Sequence, residues 1–274
     1  MTGTNFGFSK FSDNDFYSNV NKDLIDSLDI KSDQKIVDLG CGSGGISKII
    51  LEKLNRINST NSSIIAVDFS EISLKEAKAN LKSVSDSMIT FVQSRYEEFS
   101  SKIKDKVDLV VLCNAIHYLD DKELVIKDVM KILKPGGRFA FNSSFFNGAH
   151  PEHTLGFYRK WMFKAMRILS KEYNTRPVKA EKIESRVQLN PDQYKEILEN
   201  CGMKIMSTKL REVDVPIDGW LDISGFKDFI EGIMPGVNLD IASHSLQKAV
   251  RDTFKEMKLN FVQRNWMEIV ATKA

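Results

Sequence analysis

The chain has 274 residues, 42% of them hydrophobic, and its 39 basic and 37 acidic side chains give a formal charge of +2. That is enough apolar material for a sizeable core in one large or two ordinary domains, and the intermixed charges leave no extended basic face for nucleic acid or an anionic membrane. Three widely spaced cysteines, Cys41, Cys113 and Cys201, offer neither a disulfide framework nor a zinc pattern, and with no signal-peptide order in MTGTNFGFSKFSDND and no apolar run of membrane length the expectation is a cytoplasmic protein.

Residues 1–33 are expected to form an N-terminal helical lid. The stretch Ile36–Ile50, IVDLGCGSGGISKII, then reads as strand, tight turn and helix: Ile36, Val37 and Leu39 enter the glycines, and Ile46, Ile49, Ile50 and Leu54 leave them at helical spacing. Gly40, Gly42 and Gly44 make G-x-G-x-G, while Gly40, Gly42 and Gly45 make the dinucleotide pattern G-x-G-x-x-G, so the glycines alone leave the cofactor open. SSIIAVDF (62–69), MITFVQS (88–94), KVDLVVLCNA (106–115) and GGRFAFNSSF (136–145) read as further strands, with helices over Ser70–Leu81 and Lys122–Leu133 between them. This alternation over 34–145 predicts an α/β fold with a doubly wound, mostly parallel sheet. Residues 188–215 bring a capped helix at NPDQYKEILENCG and an edge strand at MKIMSTKLREVDV, and 263–274 hold a last strand in NWMEIVATKA, the two expected to pair antiparallel. The remaining segments, 146–187 and 216–262, have helical periodicity and are expected to be cap insertions over the carboxyl edge of the sheet, where open α/β sheets bind ligands.

Asp38, two residues before Gly40, argues against a dinucleotide, because a pyrophosphate gains nothing from a carboxylate beside it whereas a cationic amine does. Asp68, at the end of the second strand, suits ribose hydroxyls in either case. Taken together, VDLGCGSGG, AVDFS, VDLVVLCNAIHYLDD and LKPGGRFAF resemble the class I S-adenosylmethionine-dependent methyltransferases, particularly the small-molecule branch with the ubiquinone/menaquinone and trans-aconitate types. The resemblance runs closely over Gln34–Phe145 and loosely over the last strands. It implies a Rossmann-like sheet of seven strands, and S-adenosylmethionine as cofactor with S-adenosylhomocysteine as product. By position, Asp38 and the Gly40, Cys41, Gly42, Gly44 loop would contact the methionine part, Asp68 the ribose, and Asn114 with Ala115 the region near the methyl group. The family's Gly-Asp-Ala after the third strand is here Ser94-Arg95-Tyr96, and arginine cannot accept a hydrogen bond from the adenine amine. Adenine is therefore expected on the Tyr96 backbone, the Ser94 hydroxyl or Glu97, and Phe69 is expected either to stack on it or to be core.

Methyl transfer from a sulfonium is an in-line displacement, so the protein mainly orients the acceptor and excludes water; a base helps for a hydroxyl, thiol or acidic carbon. Candidate bases are His117, after the fourth strand, and His150 and His153 in NGAHPEHTLGF. No third ligand accompanies that His pair, so no metal is expected. Arg159, Arg186, Arg211 and Arg264 are candidate clamps for a substrate carboxylate. The bulky residues of the insertions, among them Phe157, Trp161, Phe163, Trp220, Phe229 and Met234, read mostly as core with some surface left for an acceptor with an apolar part. The expected partner is a small molecule, not nucleic acid and not a membrane. Alternatives are a methyltransferase acting on nucleic acid or protein, and an NAD-dependent oxidoreductase.

Overall fold

The computed structural model describes residues 6–178 and 188–274, so Arg186 lies outside the described residues. The seven strands are β1 (Lys35–Leu39), β2 (Ser63–Asp68), β3 (Ile89–Gln93), β4 (Val107–Cys113), β5 (Leu133–Ser143), β6 (Met203–Pro216) and β7 (Phe261–Lys273). The helices are α1 (Ser9–Ser12), α2 (Asp15–Ser27), α3 (Gly45–Arg56), α4 (Glu71–Asn80), α5 (Phe99–Lys102), α6 (Lys122–Ile132), α7 (Leu155–Glu172), α8 (Pro191–Asn200), α9 (Ile217–Ile223), α10 (Lys227–Ile233) and α11 (Leu239–Met257). Two compact units emerge. The sheet unit holds described residues 19–149, 188–211 and 266–274; the helical unit holds 6–18, 150–178 and 212–265. The 1–33 segment expected as one lid is thus divided within α2, and β6 and β7 each run from one unit into the other.

The strand order is β3-β2-β1-β4-β5-β7-β6. The pairs β1–β2, β2–β3, β1–β4 and β4–β5 are parallel, and β7 is antiparallel to β5. The chain winds outward from β1 to β3 and then returns to add β4 on the other side, which opens a crevice at the carboxyl ends of β1 and β4. Both sheet faces are covered, as parallel sheets require. Val37, Val110, Leu112, Phe139 and Phe141 face one core, while Ile36, Leu109, Val111 and Ala140 face the other together with Leu24 and Ile25 of α2. Three helices separate β6 from β7, so the edge is not a simple hairpin. The LKPGG run also departs from the expected helix end: β5 already begins at Leu133, and the pairing jumps from Val107↔Leu133 to Leu109↔Arg138, a bulge for which Gly136 adopts φ +72°. Local caps fix the helices, the one at Asn190 as anticipated. Ser70 accepts a hydrogen bond from the Ser73 N–H, and Asn190 forms a reciprocal capping box with Gln193 ahead of Pro191.

The helical unit has its own aromatic core. Phe157 and Trp161 of α7, Trp220 of α9 and Phe254 of α11 bury almost completely, and Phe157 lies 5.4 Å from both Trp220 and Phe254. Trp161 satisfies its indole N–H on the Leu246 carbonyl at 3.0 Å. Ile230 and Met234 are also buried, whereas Phe163 is left 66% exposed. No helix among the described residues is long and apolar enough to cross a membrane.

Candidate active site

Between β1 and α3 the backbone must reverse within five residues, and the three alternate glycines make this possible: Gly40, Gly42 and Gly44 have φ of +76°, +53° and +90°. The start of the loop is pinned to β2, because the Gly40 and Cys41 N–H groups both donate to the Val67 carbonyl, at 2.7 and 2.9 Å. The glycines differ in what a side chain would meet. At Gly40 a Cβ would lie 2.7 Å from the Tyr96 hydroxyl, and at Gly44 it would press on Leu81 and Ala77; at Gly42 it would meet nothing within 4 Å. Gly42 therefore borders open space.

Asp38 is fully buried. Its Oδ2 accepts a 2.6 Å hydrogen bond from Ser47, and its Oδ1 has no partner among the described residues. Burial raises the carboxyl to about 7, the Ser47 hydrogen bond opposes the rise, and the Asp68 charge adds to it. A cationic group brought to Oδ1 would relieve this cost. Asp68 holds the loop and the next helix together: Oδ2 accepts the Gly42 N–H at 2.9 Å and Oδ1 the Ser70 N–H at 2.8 Å. Each oxygen keeps a further lone pair for a hydroxyl. Burial and the neighbouring carboxylates push the Cys41 thiol far up, so it is no nucleophile here.

The next strand ends supply more unsatisfied polarity. Ser94, directly after β3, is 5% exposed and its Oγ has no partner among the described residues. Burial, with the Asp68 charge, pushes the Tyr96 phenol well up, so Tyr96 stays neutral beside Gly40. Phe69 is 62% exposed, which removes the core alternative, and Ile72 one turn into α4 is 72% exposed. Asn114, after β4, takes φ +50°; its Oδ1 accepts from the Ser144 N–H and Oγ, and its Nδ2 is buried with no partner among the described residues. Ala115 packs in the core and faces Gly40. One acceptor, one hydroxyl and one donor thus end unpaired at β1, β3 and β4. Buried polar atoms rarely stay unpaired without a reason. An ammonium on Asp38 Oδ1, a ribose diol on Asp68 and an adenine near Ser94 and Phe69 fit these positions, so the residues present suit S-adenosylmethionine.

His117 lies in the sheet unit, its Nδ1 3.2 Å from Ser143 Oγ and its ring packed on Tyr118 and Phe145. His150 and His153 belong to the helical unit. His153 pairs with Gln263 at 2.8 Å. His150 Nε2 accepts from Arg264 at 3.0 Å, since a guanidinium can only donate, and burial with the Arg264 charge lowers its pKa to about 4. His150 is therefore neutral well below the ordinary histidine range near 6.5. Of the candidate clamps, Arg211 is occupied by Asp23 and Glu268, Arg159 is exposed, and Arg264 is 7% exposed. Among the described residues no group of three or more His, Cys, Asp and Glu is arranged to hold a metal.

Sequence reasoning missed Ser47 and Asn142. Ser47 shares the buried stripe of Ile50, Leu51 and Leu54, so its polarity on that stripe was a readable signal. Asn142 caps the Asn114 N–H through Oδ1 and donates to Asn21 of α2 at 2.8 Å, a partner 121 residues away that no local pattern announces.

Residues 30–202, more than half of the chain, match the family model described as a methyltransferase domain. Among curated proteins the chain is 32% identical over 103 residues to the demethylmenaquinone methyltransferase of Lactococcus lactis, covering 38% of this chain and 39% of that protein. It is 25% identical over 215 residues to a trans-aconitate 2-methyltransferase of an Acidovorax species, covering 76% and 74%. The chain spans about two fifths of the length of the first curated relatives it matches. Its fold resembles that of Haemonchus contortus phosphoethanolamine N-methyltransferase 2, solved with S-adenosyl-L-methionine, at TM-score 0.56 and 16% identity over 97% of this chain and 56% of that one. With the family match added to the sheet order and the strand-end site, the chain belongs to the class I S-adenosylmethionine-dependent methyltransferases.

Proposed function

We propose that the chain transfers a methyl group from S-adenosylmethionine to a small-molecule acceptor that has an apolar part. The observation that carries the reading is the trio of unpaired buried atoms, Asp38 Oδ1, Ser94 Oγ and Asn114 Nδ2, around a Gly42 that borders open space. When bound, the cofactor supplies an electrophilic methyl on a positively charged sulfur. The protein's part is to hold and orient. Asp38, kept in position by Ser47, binds the ammonium; Asp68 accepts the ribose hydroxyls while fixing the glycine loop; Phe69 and Ile72 cover the adenine; Asn114, set by Ser144 and Asn142, shapes the wall beside Ala115. Where the acceptor carries a proton, His117 is the group to take it, with Ser143 on its Nδ1 orienting the ring. The acceptors in the relatives' names, trans-aconitate and a demethylmenaquinone, are small molecules and support this class.

Methyl-labelled S-adenosylmethionine incubated with the protein and separately with metabolite extract, total RNA and a protein fraction tests the reading. Label is expected in a small extractable product. Label only in RNA or protein would replace the acceptor class, and stabilisation by NAD equal to that by S-adenosylhomocysteine would overturn the cofactor assignment.

A further inference from the structure

The C-terminal half of α11 and the residue that caps it carry Arg251, Lys255 and Lys258 at i, i+4 and i+7, a spacing that sets three cations on one helical face. With Ile217, Phe254 and Leu259 they line a cleft of about 540 Å³, and all six residues belong to the helical unit. That volume is in the range of small-molecule sites. The three cations are exposed, and among the described residues no carboxylate comes within ion-pair distance of any of them. Elsewhere on α11 the charges are matched: Lys248 pairs with Glu172 at 2.7 Å, and Glu256 takes Lys160 and Lys164, each at 2.6 Å. The helix dipole favours cations in the last turn, which accounts for Lys255, but Arg251 lies before that turn. Lys258 caps the helix in the left-handed region at φ +53°, where glycine is the usual residue because a side chain is strained there. The floor is anchored. Phe254 is 4% exposed and meets Phe157 edge to face at 5.4 Å, and the Leu259 N–H donates to the Phe254 carbonyl at 3.0 Å.

We propose that this cleft binds a phosphate monoester whose organic part is apolar. The planar guanidinium of Arg251 can donate in parallel to two phosphate oxygens, and the ammonium groups of Lys255 and Lys258 add compact charges that balance a dianion. Ile217 and Leu259, half-buried beside Phe254, supply apolar surface for the organic part. Keeping a lysine at a position that favours glycine stores backbone strain, and a charge needed at that point of the rim is a reason for it. Nucleic acid is a poorer match, because the cations are confined to one cleft and the formal charge of the chain is only +2, whereas a backbone of phosphates calls for an extended basic face. None of these residues takes part in the strand-end site, so the cleft and methyl transfer can be tested separately.

Calorimetry on the full-length protein at about 0.15 M salt, where loose attraction between surface charges is screened, compares hexyl phosphate with hexanol, hexanoate and inorganic phosphate. Hexyl phosphate is expected to bind about tenfold or more tighter than hexanoate and inorganic phosphate, and hexanol not to bind detectably. Sedimentation with phosphatidylcholine vesicles, with and without phosphatidic acid, separates the two sources of such an ester: capture that requires phosphatidic acid assigns a lipid headgroup, and hexyl phosphate binding without capture assigns a soluble ligand. The double variant Arg251→Gln, Lys255→Gln should weaken hexyl phosphate by about tenfold or more. Lys258→Gly should weaken it by about 3–10-fold while raising the thermal midpoint of the free protein, because glycine relieves the cap. A purely structural lysine would not move the two readouts in opposite directions. Absence of hexyl phosphate binding, equal binding of hexanol, or an affinity that both variants leave intact overturns the proposal. Capture of a single-stranded RNA oligonucleotide that the double variant abolishes, with no binding of hexyl phosphate, would replace the ligand class. Should the double variant fail to fold, Lys258→Gly and the comparison of ligands on the parent still decide.

Discussion

The strand ends of the sheet unit and the aromatic centre of the helical unit treat buried polarity in opposite ways. At β1, β3 and β4 the chain leaves Asp38 Oδ1, Ser94 Oγ and Asn114 Nδ2 without partners and holds Asp38 near pKa 7. In the helical unit the buried Trp161 and Trp220 donate their indole N–H groups to the Leu246 and Val215 carbonyls. These buried donors are matched internally, and Arg264 likewise donates to His150. Each unpaired atom carries a desolvation cost that only a partner can offset, which is the physical reason for proposing a ligand at these strand ends.

The largest effect expected from breaking this contrast is at Gly42. Gly42→Val puts a branched side chain into the open space and into a left-handed backbone, so affinity for S-adenosylhomocysteine should be lost beyond detection by calorimetry. The fold should survive with a cost of about 1–3 kcal/mol, readable in the thermal midpoint. An unfolded variant would mean that the position faces the core. Next, His117→Gln should lower turnover by about 10²-fold with cofactor affinity unchanged. Near-native turnover would assign catalysis to orientation alone.

Asp38→Asn sharpens the comparison because it should act in opposite directions on binding and on stability. Affinity for S-adenosylhomocysteine should fall by about 10–100-fold at pH 8 through the lost charge on the ammonium. The free protein should become more stable at that pH. With the folded carboxyl raised from 3.8 to about 7, its contribution to stability is complete below pH about 4 and is lost as pH climbs through 7. At about 1.36 kcal/mol for each pH unit, the cost carried at pH 8 is at most about 4 kcal/mol. The gain in thermal midpoint should therefore be present at pH 8 and absent at pH 4; a gain at both would point to packing instead. The same titration predicts that parent affinity weakens as pH drops below about 7.

Asp68→Ala removes acceptors from the Gly42 and Ser70 N–H groups as well as from the ribose, so binding should lose about 1.5–3 kcal/mol and stability should fall with it. If S-adenosylhomocysteine still raises the midpoint as in the parent, Asp68 does not touch the cofactor. The smallest change is expected at His150. Its ring stays neutral through the working range, so His150→Asn should leave the pH profile of turnover without a displaced inflection near 6.5 and alter turnover by less than about tenfold. A profile that loses its acid limb in this variant would return the base to the helical unit.

The amino-acid sequence by itself determined the elements and the loop. Period and punctuation are local, so Ile36–Leu39, the three glycines and the Ile46–Leu54 stripe announced strand, turn and helix. Ser70 and Asn190 likewise capped their helices where local rules put them. What pairs across the chain was decided only in three dimensions. That Asp38 would be sealed and left with one free oxygen, that Asn142 would join Asn114 to Asn21, that Arg211 would be taken by Glu268 while Arg264 was buried against His150, all depend on contacts between residues tens to hundreds of positions apart. Burial, and with it the pKa of Asp38 and His150, is a property of those contacts. A side chain's chemistry is written in the sequence, but its dielectric surroundings and its partners are set by packing.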